Sequence, residues 1–268
     1  MKKHLILLTY IILLLILISI SRGLLPKKTP STESELKKIS YFKEKNLPRY
    51  LSLLNKNLSY EEIVTYINIG LDKPYYTNVK KAKDLNSTTI LVNKYNYLEK
   101  NYIPNNLETI KSKYANTNIK LTSEAKIAFE QMAEAASKES LTIIAMSAYR
   151  SYSYQETLYN NYVKKDGIAK ADTYSARPGH SEHQTGLAVD VYNKTLSYTD
   201  FEKTNEFIWM QDNAYKYGFI LRYPKNKANI TGYQYESWHY RYVGKKISSY
   251  IHFNNITYDE YYIKFLDK

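Results

Sequence analysis

The clearest periodic pattern of apolar positions lies in TSEAKIAFEQMAEAASKE, residues 122–139. Its apolar residues recur at spacings of three and four, which predicts an amphipathic helix with one face in a core. The next stretch, LTIIAMS (141–147), predicts a buried strand, and a second helix is expected to begin near Ser153. Arg150 therefore falls at a strand-to-helix junction, where a side chain is held rigidly and can face a cleft.

A second pattern, strict alternation, marks LAVDV after Gly186. Leu187, Val189 and Val191 fall on one side of the predicted strand, and Asp190 falls on the other side. A carboxylate on an otherwise apolar strand needs a partner, because burial of an unpaired charge is prohibitive. Thr89 to Val92 also suits a strand.

The apolar pattern also divides the chain. An unbroken apolar run from Leu5 to Ile20 follows Lys2 and Lys3, and it predicts an N-terminal signal anchor over residues 1–25. Residues 26–85 are expected to form a stalk and a helical preface, with a helix that starts at Ser59 and stops at Gly70. Residues 86–268 are expected to form the catalytic domain.

Composition narrows the chemistry. The chain of 268 residues carries a formal charge of +12, which favours an anionic neighbourhood such as membrane headgroups or a cell-wall polymer. The lysines are scattered and form no basic stripe, so no nucleic-acid partner is expected. There is no cysteine, so any metal site must be built from His, Asp and Glu.

The candidate chemistry lies in ARPGHSEHQTGLAVDVY (176–192), which holds two of the five histidines of the chain. His183 and Asp190 are too far apart on one helix to share an ion, so the chain must bend, and Gly186 gives it that freedom. A metal ion would satisfy both side chains, and ESWH (236–239) offers a further carboxylate and histidine. The residues alone leave open which carboxylate binds the metal and which acts as the base. The alternative to a metal site is that these histidines are isolated and have structural roles only.

Three motifs resemble the VanY-like D-alanyl-D-alanine carboxypeptidases, zinc peptidases of the lysostaphin, D-Ala-D-Ala peptidase and hedgehog group. SEHQTGLAVD (181–190) is similar to the S-x-H-x-x-G-x-A-x-D signature of that family, and ESWH (236–239) to its E-x-x-H signature. SAYRSYSYQ (147–155) is similar to the segment that precedes the first signature. The resemblance covers roughly residues 85–250, in the family's order.

The resemblance implies a fold and a site. The fold would be α+β, with helices around a small central antiparallel sheet that carries the zinc ion. His183, Asp190 and His239 would bind Zn²⁺, and Glu236 would act as general base and then as acid. Arg150 would stabilise the oxyanion, while Ser181 and Gln155 would contact the substrate. His180 lies outside the signature and is interpreted as a residue at the rim of the pocket.

The implied function is removal of the terminal D-alanine from a peptidoglycan stem peptide by a membrane-tethered, extracytoplasmic, monomeric enzyme. A cleaved and secreted form is the alternative to the tether. An L,D-carboxypeptidase acting on the tetrapeptide, an endopeptidase of the same zinc group and a non-catalytic wall-binding module are the alternatives to the function. The substrate carboxylate needs a cation, for which Arg150, Arg177, Arg222 and Arg241 are the candidates.

Overall fold

The computed structural model describes residues 30–267, which pack as two compact units divided between Asn68 and Ile69. The predicted anchor over residues 1–25 lies outside the described residues. Within the part of the chain that is described, no helix has both the length and the apolar character needed to cross a membrane.

The smaller unit is helical. Its helices are α1 (Pro30–Lys37), α2 (Leu47–Ser52) and α3 (Tyr60–Ile69), the last of which ends at the boundary between the units. Ser59 caps α3 as expected, since its hydroxyl accepts a hydrogen bond from the backbone N–H of Glu62 at 3.3 Å and its own N–H donates to the Glu62 carboxylate at 2.8 Å. The unit has a core of its own, formed by Leu36, Tyr50, Ile63, Val64 and Ile67.

The larger unit contains residues 69–85 as well as the predicted catalytic domain. Two short strand pairs come first: β1 (Lys80–Lys81) with β2 (Asn96–Tyr97), and β3 (Leu107–Thr109) with β4 (Lys120–Thr122). The central sheet comprises β5 (Ile144–Ser147), β6 (Ala188–Tyr192), β7 (Phe219–Leu221) and β8 (His239–Tyr242). Its strands are antiparallel in the order β5-β6-β8-β7, which confirms the predicted α+β class.

Helices flank this sheet. They are α4 (Ser123–Lys138), α5 (Tyr152–Asp166), α6 (Ile168–Tyr174), α7 (Asn205–Asn213), α8 (Ala228–Thr231), α9 (Lys245–Asn254) and α10 (Tyr258–Tyr261). The helix predicted over 122–139 is therefore confirmed as α4, and its Phe129 and Met132 are fully buried in the core shared with Val189 and Val191.

The two faces of the sheet differ in chemistry. Val189 of β6 lies opposite Tyr240 of β8, and both belong to the apolar core. The next pair along the same strands, Asp190 and His239, points to the other face because side chains alternate along a strand. The predicted alternation of β6 is thus what separates the core from the polar face.

The strand predicted at Thr89 to Val92 is wrong. Ile90 and Val92 are buried, but the segment has no strand partner, and side chains occupy two of its carbonyl oxygens. Arg241 Nη2 donates to the Ile90 carbonyl at 2.7 Å, and the Tyr258 hydroxyl donates to the Thr89 carbonyl at 2.6 Å. Buried backbone polar groups need partners, and here side chains supply them in place of a ladder.

Candidate metal centre and active site

The polar face of the sheet brings together the three residues predicted to bind metal. Asp190 lies in the middle of β6, and His239 is the first residue of β8 and the register partner of Asp190. His183 lies in a one-turn 3-10 helix (Glu182–Thr185) that precedes β6, and the Ser181 hydroxyl caps that turn by accepting from His183 N–H at 3.3 Å. One ligating atom from each of the three residues falls within 4.8 Å of the others.

Gly186 makes the bend between His183 and Asp190 possible. Its φ of +67° is in the left-handed region, where side chains with a Cβ are strained. A Cβ there would also lie 2.8 Å from Leu107 Cδ2 and 3.2 Å from Thr122 Cγ2. Glycine is therefore the residue that makes this turn back to the sheet without strain.

Each histidine points one ring nitrogen at Asp190. His183 Nε2 lies 3.3 Å from Asp190 Oδ2, and His239 Nδ1 lies 3.0 Å from Asp190 Oδ1. The two imidazole rings stand edge to face, with centroids 4.8 Å apart. The ring nitrogens and carboxylate oxygens that could bind a metal ion thus lie close together.

The other nitrogen of each ring has its own acceptor. His183 Nδ1 is 2.7 Å from the Ala148 carbonyl, and His239 Nε2 is 3.5 Å from Glu182 Oε2. Ligating histidines usually donate their outer N–H to such a group, which fixes the ring for coordination. Two imidazoles and one carboxylate with an open fourth position are the donor set of a catalytic zinc site, so these residues fit Zn²⁺.

The electrostatics of the three residues differ. Burial and the nearby Arg150 lower the pKa of His183 to about 4, so this ring is neutral at neutral pH and its lone pair is free to bind metal. Burial also lowers the pKa of His239, but its hydrogen bonds to Asp190 and Glu182 outweigh burial and raise the pKa to about 9. The pKa of Asp190 is held well below its usual value, because His183 and Arg150 outweigh the effect of burial. A proton and a metal ion therefore compete for His239, so metal affinity should rise with pH.

Glu236, the predicted base, lies beside this group. Its Oε2 is 3.8 Å from His239 Nδ1, and the side chain is almost fully buried. Burial, assisted by the charge of Asp190, raises the pKa of Glu236 to about 8. A carboxyl group whose pKa lies near neutrality can both accept and return a proton during turnover.

Arg150 reaches the same point from the junction between β5 and α5. Its Nη2 donates to Asp190 Oδ2, and its Nε donates to the Ser147 hydroxyl at 2.9 Å. Ser147 faces Asp190 across the sheet because β5 is bulged between Ala145 and Ser147. The guanidinium of Arg150 is therefore held at the pocket by Asp190 and Ser147, and its catalytic role stays a prediction.

Gln155 and Ser181, the predicted substrate contacts, also line the site, but both have polar partners in the protein. Gln155 accepts from Arg150 Nη1 at 3.4 Å and donates to the Ala176 carbonyl at 2.8 Å. Their contact with substrate stays a prediction.

These residues lie in a pocket of about 460 Å³. Aromatic side chains form much of the wall, and Trp238 and Tyr198 meet edge to face with centroids 5.0 Å apart. The lining includes Tyr154, Tyr162, Tyr174, Tyr223, Tyr233 and Gln234. A volume of this size is within the range of small-ligand pockets.

The remaining sequence candidates do not line the pocket. His180 is held by its Nδ1, 2.8 Å from the Asn93 carbonyl, and by edge contact with Tyr76 at 5.0 Å. Arg177 is paired with Asp172 at 2.8 Å. Arg222 and Arg241 are fully buried in ion pairs with Glu182, so Arg150 is the candidate arginine that lines the pocket.

Sequence reasoning missed Glu182, although it stands between two signature residues. Its carboxylate is buried beneath His239 and binds Arg222 at 2.8 Å and Arg241 at 2.9 Å. The sequence signal that could have pointed to Glu182 was its place beside His183, inside the first signature.

Comparison with known proteins agrees with this geometry. A family model described as D-alanyl-D-alanine carboxypeptidase (VanY) matches residues 118–245. YodJ of Bacillus subtilis (strain 168), whose name describes a carboxypeptidase, is 41% identical over 214 residues, which cover 73% of this chain and 76% of the relative.

Solved structures share the fold. The LdcB LD-carboxypeptidase is 40% identical with a TM-score of 0.66, over 70% of this chain and 91% of that one. VanYB in complex with D-alanine-D-alanine is 31% identical with a TM-score of 0.58, over 68% of this chain and 99% of that one. A VanY D,D-pentapeptidase variant in complex with Zn(II) is 32% identical with a TM-score of 0.56, over 65% of this chain and 98% of that one. The chain therefore belongs to the VanY family of D-alanyl-D-alanine carboxypeptidases.

Proposed function

We propose that this protein is a zinc-dependent carboxypeptidase that removes the C-terminal D-alanine from peptidoglycan stem peptides ending in D-Ala-D-Ala. The observation that carries the proposal is the convergence of His183, Asp190 and His239 within 4.8 Å beside Glu236, at the base of a pocket. The VanY structures that contain zinc and D-alanine-D-alanine support the cofactor and the substrate class.

His183 Nε2, His239 Nδ1 and an Asp190 oxygen would hold the ion. When bound, zinc supplies a Lewis acid and lowers the pKa of water. Glu236 accepts the proton of the attacking water and delivers it to the amine of the departing D-alanine. Arg150 supplies a fixed positive charge where negative charge develops on the carbonyl oxygen.

The wall of the pocket would orient the peptide. Arg150 is held by hydrogen bonds to Ser147 and Gln155, so its guanidinium needs to move little during the reaction. Tyr198 and Trp238 offer apolar surface to the side chains of the stem peptide.

A second candidate is L,D-carboxypeptidase activity on the stem tetrapeptide. The observation that favours it is the 40% identity to the LdcB LD-carboxypeptidase, over 91% of that chain. Both reactions use the same group of residues and differ in the configuration of the residue that precedes the cleaved bond.

The test uses the full chain purified in detergent and loaded with zinc. It is mixed with equal amounts of stem pentapeptide and tetrapeptide, and the masses are followed over time with and without a chelator. Chelator-sensitive loss of one alanine from the pentapeptide alone establishes the D,D activity, and loss from the tetrapeptide alone establishes the second candidate. No chelator-sensitive loss from either peptide contradicts both.

Glu236→Gln is the matched variant for this assay. It keeps the size of the side chain and removes its ability to accept a proton. We expect zinc to remain bound and turnover to be abolished. Normal turnover by the variant would contradict the assignment of Glu236.

We also propose that the enzyme works as a monomer tethered on the outer side of the cell membrane. The apolar run Leu5–Ile20 behind Lys2 and Lys3 supports the tether, and the charge of +12 suits an anionic wall. Protease treatment of intact cells should remove the catalytic domain while the N-terminal segment stays with the membrane fraction. A protease-resistant domain in intact cells would contradict this orientation.

A further inference from the structure

A buried group of four charged side chains lies directly behind the metal-ligating residues. Glu182, Arg222, Arg241 and Asp259 are each exposed by 2% or less. Arg222 donates to Glu182 Oε1 at 2.8 Å and to Asp259 Oδ2 at 2.7 Å, and Arg241 donates to Glu182 Oε1 at 2.9 Å. Two guanidinium groups and two carboxylates balance in charge, which is the condition under which such burial is tolerated.

The two oxygens of Glu182 have different partners. Oε1 accepts from both arginines, while Oε2 faces His239 Nε2 at 3.5 Å, somewhat longer than a typical N–H···O hydrogen bond. Because the arginines hold Oε1 from two sides, the carboxylate cannot rotate without losing both bonds. Oε2 is therefore fixed towards the imidazole.

This contact decides which nitrogen of His239 carries a proton when the ring acts as a ligand. A neutral imidazole has one N–H donor and one lone pair, and a carboxylate can only accept. The nitrogen that faces Glu182 must then keep its proton. The lone pair remains on Nδ1, the atom that lies 3.0 Å from Asp190.

We propose that Glu182 is a positioning residue for the metal centre: by accepting the Nε2–H of His239 it holds Nδ1 as the ligating atom. The inference rests on the proposed zinc site. His183 is oriented in the opposite sense by a backbone carbonyl, that of Ala148, which takes its Nδ1–H and leaves Nε2 for the metal. One ligand is thus held by the backbone and the other by an ion-paired side chain.

Glu182→Gln tests this directly. In the variant, the amide oxygen must face Arg222 and Arg241, since both are donors, so the NH₂ group faces His239 Nε2. A donor at that place requires the lone pair on Nε2 and moves the proton to Nδ1, the ligating atom. We expect the zinc dissociation constant to rise about 10- to 100-fold, the usual effect of losing the outer partner of a ligand.

Asp259→Asn is the matched control. It removes one carboxylate charge from the same buried group, at the far side of Arg222, and leaves the contact between Glu182 and His239 in place. Zinc affinity of the full chain in detergent is measured by competition with a chromophoric chelator, and folding is checked by circular dichroism. We expect Asp259→Asn to bind zinc as tightly as the wild type.

A second measurement needs no variant. Long-range ¹H–¹⁵N spectra of the histidine side chains in zinc-loaded wild type should show a protonated Nε2 and a coordinated Nδ1 for His239. His183 should show the reverse. Thus the inference can be tested even if Glu182→Gln does not fold.

Three results would overturn the inference: unchanged zinc affinity in Glu182→Gln, an equal loss in Asp259→Asn, or coordination of His239 through Nε2. Each of these leaves the proposed function intact if the wild type binds zinc and hydrolyses the stem peptide. A wild-type chain that binds no zinc would overturn both.

Discussion

Replacing Glu236 by Gln should change how the stability of the metal-free protein depends on pH. Burial raises the pKa of the Glu236 carboxyl from 4.5 to about 8. Between these values the folded protein keeps a proton that the unfolded chain releases. Stability contributed by the protonated carboxyl is therefore present below pH 4.5 and is lost as the pH rises towards 8.

The magnitude follows from the shift. Each pH unit between the two pKa values is worth about 1.4 kcal/mol, so the interval from pH 5 to pH 7 costs about 3 kcal/mol. Glu236 is 7% exposed, so solvent screens this effect little. The Gln variant has no charge to bury and avoids the cost. We expect metal-free Glu236→Gln to gain about 3 kcal/mol over the wild type between pH 5 and pH 7.

The assay is urea unfolding of chelator-treated protein at pH 5, 6 and 7, followed by tryptophan fluorescence. Glu99→Gln is the control, because the Glu99 side chain is about half exposed and pairs with Lys81 at the surface. Its difference from the wild type should change little over this interval. Parallel pH dependence of the wild type and Glu236→Gln would refute the idea that the folded state holds Glu236 protonated.

Other variants probe the rest of the site. Gly186→Ala should cost about 2–4 kcal/mol in urea unfolding, since it adds contacts near 3 Å to an unfavourable φ. In a Leu107→Ala background, which removes the Cδ2 that the new Cβ would meet, Gly186→Ala should cost less, and an undiminished cost would contradict the packing argument. Arg150→Met should lower kcat about 100- to 1000-fold with zinc still bound, as steady-state rates and metal analysis can check; an unchanged kcat would exclude its role at the oxyanion. His180→Gln should leave one zinc per chain, whereas loss of the metal would make His180 a ligand.

Local patterns in the sequence were sufficient for the elements that build the site. The spacing in α4 and the alternation in β6 depend on near neighbours, and both were predicted correctly. The bend at Gly186 followed from the need to bring His183 and Asp190 together. The pairing of β6 with β8 was not predicted, since no local pattern links residues 49 positions apart.

Long-range polar contacts could not be predicted. Thr89 to Val92 has the composition of a strand, but Arg241 and Tyr258, distant in sequence, occupy two of its carbonyl oxygens. The same limit hid the burial of Arg222 and Arg241, which looked like candidates for substrate binding. Their partner Glu182 is identified only when the fold places it between them.

The pairing of Asp190 with His239 across the β6–β8 ladder has a consequence for how this family can diversify. The two predicted metal ligands are held together by the backbone ladder, so the loops of the 193–238 segment outside β7, Arg222 and Glu236 can change in length and sequence without separating them. That segment supplies Tyr198, Tyr223 and Tyr233 to the pocket wall. Substrate preference can therefore evolve in the connecting segment while the metal chemistry stays constant, which agrees with the D,D- and L,D-peptidases found among proteins of this fold.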